Sequence, residues 1–112
     1  MKIKNNSVVA VDLDKTLCTG ENFTDADCIK AIPIQKMIDV VNNTLFRKKH
    51  CFIVIYTARR EHLRTATEYW LRKYDVKYHT LVCGKLWAKY YIDDRNILIK
   101  DLLGGERNWL KK

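Results

Sequence analysis

The run Val8–Leu17, which reads Val-Val-Ala-Val-Asp-Leu-Asp-Lys-Thr-Leu, constrains the fold more than any other part of this chain. Its Val-rich beginning is typical of a parallel strand that is buried on both faces, and it places Asp12 and Asp14 at the carboxyl end of that strand. In open α/β sheets, ligands bind at this end of the strands. Two neighbouring carboxylates repel each other in a dry site unless a cation, a proton or water lies between them. The spacing therefore indicates a metal site.

Apolar runs alternate with segments of helical periodicity along the rest of the chain. The predicted strands cover residues 7–13, 51–56, 77–82 and 90–92, and the predicted helices cover residues 34–47, 58–74 and 96–103. Residues 17–33 show no sustained period and are predicted to form a loop or a small hairpin. This alternation predicts one α/β domain over residues 1–112, with a mostly parallel central sheet, helices on both faces and three layers in all. Right-handed crossovers then place the ends of the first, second and fourth strands at one edge of the sheet.

The composition limits the partners and the compartment. The chain has 21 Lys and Arg residues against 13 Asp and Glu residues, a net charge of +8, which favours anionic ligands such as phosphates, nucleotides or nucleic acid. The four cysteines show neither a Cys-x-x-Cys pair nor a zinc-type ladder with histidine, so they are predicted to be reduced. No apolar run has the length or flanks of a signal peptide or a membrane span, which predicts a cytoplasmic protein without a membrane partner.

Several candidate site residues stand at the ends of predicted strands or just beyond them. They are Asp12, Asp14, Thr57, Lys85, Asp93 and Asp94. Taken singly, each has an ordinary explanation: the acids as turn residues, Thr57 as the N-cap of a helix that begins at Ala58, and Lys85 as a solvated charge. If all of these ordinary explanations were correct, several different chemically useful groups would lie at one edge of the sheet by accident. A shared functional site is the simpler explanation.

The order Asp-x-Asp-x-Thr, a strand ending in Thr, a Lys, and a strand ending in Asp-Asp resembles the haloacid dehalogenase-like phosphohydrolase superfamily, from about Val8 to Arg95. A nearer resemblance is to its short capsule-biosynthesis phosphatase-like branch. That resemblance is carried by Thr57-Ala58-Arg59, Trp70-Leu71, Gly84 to Trp87 and Tyr91 to Arg95. It implies a Rossmann-like fold without a cap domain, because neither of the two segments in which the family inserts caps is long enough to hold one.

The resemblance also implies a role for each site residue. Asp12 would attack phosphorus and carry an aspartyl-phosphate, and Asp14 would act first as the general acid and then as the general base. Thr57 would donate a hydrogen bond to a phosphoryl oxygen, and Lys85 would neutralise developing negative charge. The implied substrate contacts are Thr16 and Arg59, and the implied Mg²⁺ ligands are the Asp12 carboxylate, the Asp14 backbone carbonyl, Asp93 and Asp94.

Some assignments stay open at the level of the sequence. Either Asp93 or Asp94 can be the direct metal ligand, and Lys89 follows Lys85 by one helical turn as a second candidate for the motif lysine. Lys15 stands where many relatives of the superfamily carry Gly, which places an additional cation beside the site.

The chain is therefore expected to be a Mg²⁺-dependent phosphatase that acts on a phosphomonoester, most simply a phosphorylated small molecule. One alternative is a nucleotide or polynucleotide phosphatase that uses the basic surface, and another is a non-catalytic interaction module with the same fold. Without a cap the site is expected to be open, with Arg59, Arg60, His62 and Arg64 as a basic rim, or to be covered by a second copy of the chain in a homo-oligomer.

Overall fold

The computed structural model describes residues 2–20 and 24–84 of the chain. In chain order the elements are β1 (Val8–Asp12), α1 (Asp25–Lys30), α2 (Gln35–Asp39), a π-helix (Val40–Lys48), β2 (Phe52–Thr57), a 3₁₀ turn (Glu61–Leu63), α3 (Arg64–Lys73) and β3 (Thr80–Cys83). The predicted fourth strand lies outside the described residues, as do Lys85, Lys89, Asp93 and Asp94. What the sequence predicts for them, and for a single domain over residues 1–112, stays a prediction.

The described strands form one parallel sheet in the order β1-β2-β3. Val8 is paired with Phe52 and Asp12 with Tyr56, and β3 pairs with the second half of β2. Because β-branched residues fit a pleated, packed surface, the apolar runs of the sequence become these strands. Parallel strands joined by helical crossovers give the predicted α/β architecture, compatible with a Rossmann-like fold. Within residues 2–20 and 24–84 there is no cap domain, since only α1 lies between β1 and α2.

Within the described residues, one face of the sheet is packed and the other is exposed. Val11, Ile53 and Ile55 point into a core that they share with α2, the π-helix and α3. On the other face Val8 is 72% exposed and Phe52 is 46% exposed. The connections β1 to β2 and β2 to β3 cross the sheet in the same direction. Because such connections are right-handed, the helices of both connections lie on one face of the sheet. The prediction that the first strand is buried on both faces is therefore wrong for Val8, and a helical layer on the second face is not among the described residues.

The predicted helix over residues 34–47 is present, but its second half is a π-helix. The backbone amide of Lys49 donates to the carbonyl of Thr44 at 2.9 Å, one residue further back than in an α-helix. Met37, Val41 and Leu45 recur at every fourth position and are all buried. A repeat of four is longer than the α-helical turn, so the wider winding keeps these side chains on one face.

The prediction of a loop or small hairpin over residues 17–33 is only partly correct. Two strand-like hydrogen bonds join its ends, from the Thr19 amide to the Ile32 carbonyl and from the Ile34 amide to the Leu17 carbonyl, both at 2.8 Å. Between them lies α1, which begins at a capping box in which Thr24 and Asp27 each accept a hydrogen bond from the other's backbone amide. The helix is anchored on α3 through a small apolar cluster of Cys28, Leu63 and Ala66.

The described residues also bear on the cysteines and on membrane insertion. All four cysteines are unpaired, as predicted, with Cys18, Cys28 and Cys51 buried and Cys83 half-buried. In the part of the chain that the structure describes, no helix combines the length and apolar character needed to cross a bilayer.

Candidate functional site

The carboxyl ends of β1 and β2 place two of the predicted site residues at the same edge of the sheet. Asp12 is the last residue of β1 and Thr57 the last of β2. The two strands remain joined beyond Asp12, because the Leu13 amide donates to the Tyr56 carbonyl at 3.2 Å. The sequence prediction that these strand ends meet is confirmed for β1 and β2.

A tight turn after β1 returns the chain over this edge. The amides of Thr16 and Leu17 donate to the Leu13 carbonyl at 3.2 and 2.8 Å, and the Lys15 amide donates to the Cys18 carbonyl at 2.7 Å. Lys15 has a φ of 67°, in the left-handed region. Asp12, Asp14 and Thr16, at the end of β1 and in this turn, are all half-buried.

Asp14 is held by Arg59 in a two-pronged ion pair. Arg59 Nη2 lies 2.7 Å from Asp14 Oδ1, and Arg59 Nε donates to Asp14 Oδ2 at 3.2 Å. The Arg59 side chain is 4% exposed and that of Asp14 is 32% exposed. Burial alone would lower the pKa of Arg59, but the hydrogen bonds to Asp14 and its negative charge outweigh burial and raise that pKa. Arg59 is thus fixed in its charged form against Asp14.

Two threonines also form hydrogen bonds with Arg59. Arg59 Nη1 donates to Thr67 Oγ1 at 2.9 Å, and its backbone amide donates to Thr57 Oγ1 at 3.1 Å. The Thr57 hydroxyl in turn donates to Asp14 Oδ2 at 3.1 Å. Thr57 and Thr67 are both fully buried, and each hydroxyl has at least one hydrogen-bonding partner within this cluster.

The interpretation of Thr57 as a helix N-cap is wrong. The predicted helix over residues 58–74 begins instead with the 3₁₀ turn at Glu61, and α3 follows from Arg64. Residues 58–60 are used differently: they form the bend that turns Arg59 back towards Asp14, and the Arg59 carbonyl accepts a hydrogen bond from the Gly84 amide at 2.8 Å. The Thr57 hydroxyl caps this bend.

Cys18 contacts both members of the Asp14–Arg59 ion pair. Its Sγ is 3.7 Å from Asp14 Oδ1 and 3.6 Å from Arg59 Nη2, and the residue is fully buried. Burial, reinforced by the charge of Asp14, raises the pKa of Cys18 to about 12. The thiol is therefore neutral at physiological pH and acts as a small polar packing group, without the thiolate character of a nucleophile.

Of the four residues that the sequence predicts as a basic rim, the structure leaves two exposed and places the other two in ion pairs. Arg59 is buried against Asp14, and Arg64 is paired with Glu61 through two hydrogen bonds of 2.8 and 2.9 Å. Arg60 and His62 are exposed. Acids in direct contact thus offset the charge of two of the three arginines predicted for the rim.

Sequence reasoning missed Thr67 and Cys18 as members of the cluster. Thr67 does carry a signal, since it is a polar residue at a position that the helical period places on the buried side, near Leu63 and Trp70. Cys18 carries none, because its contact with Arg59 depends on the return of a distant part of the chain. Within residues 2–20 and 24–84, His, Cys, Asp and Glu side chains form no group of three or more suited to a metal ion.

Lys15→Gly is expected to raise the free energy of unfolding by up to about 1 kcal/mol, because glycine adopts a positive φ without the steric cost that a Cβ incurs. Lys15 is exposed, so the substitution removes little packing. Urea denaturation measures the change. Lys15→Ala is the control: it retains the Cβ and should stay within about 0.5 kcal/mol of the parent protein. A glycine variant that is less stable than the alanine variant would contradict a strained Lys15.

Solved structures share this fold. A protein from Vibrio cholerae superposes with a TM-score of 0.69 over 95% of this chain and 94% of its own, at 24% identity. A chain of the Pnkp1/Rnl/Hen1 complex superposes with a TM-score of 0.61 over 88% of this chain and 33% of its own, at 24% identity. A chain of the Pnkp1/Rnl/Hen1 RNA repair complex superposes with a TM-score of 0.61 over 88% of this chain and 30% of its own, at 16% identity. This chain therefore spans about a third of the matched chains of those complexes. No family model and no curated protein sequence matches it. The similarity shows the fold, which is consistent with the haloacid dehalogenase-like resemblance of the sequence.

Proposed function

We propose that this chain is a Mg²⁺-dependent phosphatase that hydrolyses a phosphomonoester through an aspartyl-phosphate on Asp12. The observation that supports this most strongly is the pairing of two acids with different surroundings at one edge of the sheet. Asp12 ends a strand at the edge where ligands bind in open α/β sheets, whereas Asp14 is immobilised by Arg59 and Thr57. Carboxylates in different surroundings can perform different parts of one reaction.

In this proposal Asp12 attacks phosphorus and the bond to the leaving oxygen breaks. A carboxylate is a weak nucleophile, but it needs no base to activate it at neutral pH. Asp14 supplies the proton to the leaving oxygen and afterwards takes one from the water that hydrolyses the aspartyl-phosphate. Thr16 remains a candidate substrate contact, since it lies half-buried in the turn that follows β1.

The contacts of Asp14 add a condition to its role. Oδ2 accepts from Thr57 and from Arg59, and Oδ1 accepts from Arg59 and from the Cys18 thiol. Two carboxylate oxygens have about four lone-pair positions, so these contacts occupy most of the hydrogen-bonding capacity of Asp14. Among these contacts the 3.7 Å one with Cys18 is the weakest, and we propose that Asp14 releases it when the carboxylate exchanges a proton with substrate or water.

The proposal revises two roles that the family resemblance implies. Arg59 is buried and occupied by Asp14 and Thr67, which favours a positioning role over direct contact with substrate. The Thr57 hydroxyl donates its proton to Asp14, so it too is proposed to orient that carboxylate. A hydroxyl has one proton, and Thr57 can donate to a phosphoryl oxygen only by releasing Asp14.

The donors at this edge fit a hard divalent cation. The Asp12 carboxylate and the Asp14 backbone carbonyl offer oxygen ligands, which Mg²⁺ prefers, and Asp93 with Asp94 is proposed to supply the rest. When bound, the cation would polarise the phosphoryl group and offset its charge. Lys85 is proposed to neutralise charge on the phosphoryl group from the protein side.

Hydrolysis of an aryl phosphate with and without divalent metal tests this proposal. Chelation is expected to stop turnover and added Mg²⁺ to restore it, because two acids at one edge need a cation before a phosphoryl dianion can approach them. Asp93→Asn and Asp94→Asn, assayed across Mg²⁺ concentrations, distinguish the direct ligand as the variant that needs more metal. Asp39→Asn, a matched change on the exposed surface of α2, should behave as the parent. Turnover that survives complete chelation would refute the metal site.

A polynucleotide substrate is the second candidate. The chain carries a net charge of +8, and its fold occurs in a complex described as an RNA repair complex. Comparison of sugar phosphates, nucleotides and oligonucleotides with 3′- or 5′-terminal phosphates separates the two substrate classes by kcat/KM. If no phosphorylated compound is hydrolysed and Mg²⁺ does not bind, the non-catalytic interaction module is the better description.

A further inference from the structure

The edge of the sheet opposite the proposed active site carries a concentration of positive charge. Lys4 precedes β1, and Arg47 and Lys48 end the π-helix just before β2 begins. These two segments lie side by side, because the Asn6 amide donates to the Lys49 carbonyl at 2.7 Å. The cations therefore gather at the amino ends of β1 and β2, separated from Asp12 by the length of the strand.

These cations are available to a ligand. Lys4, Arg47 and Lys48 are exposed, and none of them has an ion pair among residues 2–20 and 24–84. At the carboxyl edge, by contrast, two arginines are neutralised by acids in contact with them. Lys4, Arg47 and Lys48 therefore keep their charge available to a ligand at the edge of the sheet away from the proposed catalytic acids.

An ordered aromatic surface adjoins the cations. The ring of His79 stacks on that of Phe52, with centroids 4.4 Å apart and planes 19° apart, and the ring centroid of Phe46 lies 5.5 Å from that of His79. His79 is held in place because its Nδ1 accepts a hydrogen bond from the Ile53 amide at 2.9 Å. Phe52 is nevertheless 46% exposed, which leaves part of a fixed ring open to solvent.

We propose that these residues, Lys4, Arg47, Lys48, Phe52 and His79, form an amino-edge patch that binds single-stranded nucleic acid. The cations contact backbone phosphates, and a base stacks on the exposed part of Phe52. An acidic protein or an anionic lipid surface could also bind to these cations. Neither of them requires a flat ring held at a fixed angle beside the cations, whereas a nucleic-acid base stacks on such a ring. The proposal does not depend on the proposed phosphatase activity, since the patch is at the opposite edge.

The position of Arg47 and Lys48 in the last turn of the π-helix also complements the helix dipole. That effect accounts for two of the cations. It does not account for Lys4, which belongs to another segment, or for an exposed phenylalanine among them.

Fluorescence anisotropy with a labelled oligothymidylate of roughly twelve nucleotides tests the patch in the absence of Mg²⁺. The protein is expected to bind, with an affinity that falls steeply as salt is added. Arg47→Glu with Lys48→Glu should weaken binding at least about tenfold, since charge that attracts phosphate becomes charge that repels it. Lys30→Glu with Lys36→Glu gives the same change in net charge on exposed parts of α1 and α2 and should weaken binding far less.

The aromatic contribution is tested with Phe52→Leu, which keeps an apolar side chain and removes the ring. It should weaken binding of the oligothymidylate by about fivefold or more and leave binding of an abasic oligomer of the same length unchanged. Circular dichroism confirms that each variant remains folded. Asp12→Asn should bind as the parent does, whether or not it is active.

Three results would overturn the proposal. The first is an equal loss of binding in the two charge-reversal pairs, which would mean that only net charge matters. The second is oligothymidylate binding that Phe52→Leu does not change. The third is tighter binding to phosphatidylserine vesicles than to the oligonucleotide at the same salt concentration, which would identify a lipid-binding surface instead.

Discussion

Asp12→Asn is expected to reduce hydrolysis of an aryl phosphate by at least about a thousandfold, because an amide oxygen is a far poorer nucleophile than a carboxylate and removal of a nucleophile costs most of the catalysis. The side chain lies at the end of β1, half-buried at the edge of the sheet. The substitution preserves shape and removes charge, so the fold should persist. Steady-state kcat measures the effect, and rapid mixing of the parent enzyme should show a burst if the aspartyl-phosphate accumulates.

Asp39→Asn is the matched control for this substitution. It makes the same chemical change at an exposed position of α2, where the side chain accepts a hydrogen bond from Gln35 that an asparagine oxygen can also accept. Its activity should equal that of the parent. Parent-level activity in Asp12→Asn would exclude Asp12 as the nucleophile, whatever the metal dependence.

Arg59→Met is expected to lower the free energy of unfolding by about 2–4 kcal/mol. The change removes two charge-assisted hydrogen bonds to Asp14 and the donor to Thr67, and it leaves an acid without its buried counter-charge. The expected loss is less than for a fully buried ion pair, because the Asp14 side chain is 32% exposed and water can solvate part of it. Urea denaturation gives the value directly.

The neighbouring arginine provides the control. Arg60 is exposed and has no ion pair within residues 2–20 and 24–84, so Arg60→Met should change stability by less than about 0.5 kcal/mol. A double-mutant cycle of Arg59→Met with Asp14→Ala should show a coupling energy of at least about 1 kcal/mol. Equal stability of the Arg59 and Arg60 variants would show that the buried pair contributes nothing.

Arg59→Lys separates charge from geometry. Lysine retains the charge but cannot form the two-pronged contact, so it should restore only part of the lost stability. If Arg59 positions Asp14, the lysine variant should also show a reduced kcat with little change in KM, and its pH profile should shift. A residue that contacts substrate in the ground state would mainly raise KM.

The elements that could be predicted from the sequence are those specified by local pattern. The apolar runs before Asp12 and Thr57 locate β1 and β2 to within one or two residues, because a run of β-branched residues has few other stable conformations in a packed domain. Turn chemistry is a weaker signal. The sequence contains the capping box at Thr24, but the residues after it include too few apolar side chains to show a helical period, so the pattern favours a loop over the short helix that forms.

The cluster around Asp14 could be predicted only in part. The strand ends predict which acids meet, but the burial of Arg59 depends on contacts with Asp14, 45 positions away, which local periodicity cannot predict. The same contacts explain the late start of α3: the bend that directs Arg59 to Asp14 is incompatible with a helix beginning at Ala58. Long-range pairing therefore overrode local propensity where the chemistry is proposed to occur.

The π-helix has a consequence for how chain length can vary in proteins of this fold. Each of its hydrogen bonds spans one residue more than in an α-helix, so a chain one residue shorter between Val40 and Lys48 could wind as an α-helix and still direct Val41 and Leu45 into the core. The strand β2 would begin at the same place in either case. Alignments that require equal lengths here would misplace every residue after the helix, Thr57 and Arg59 included.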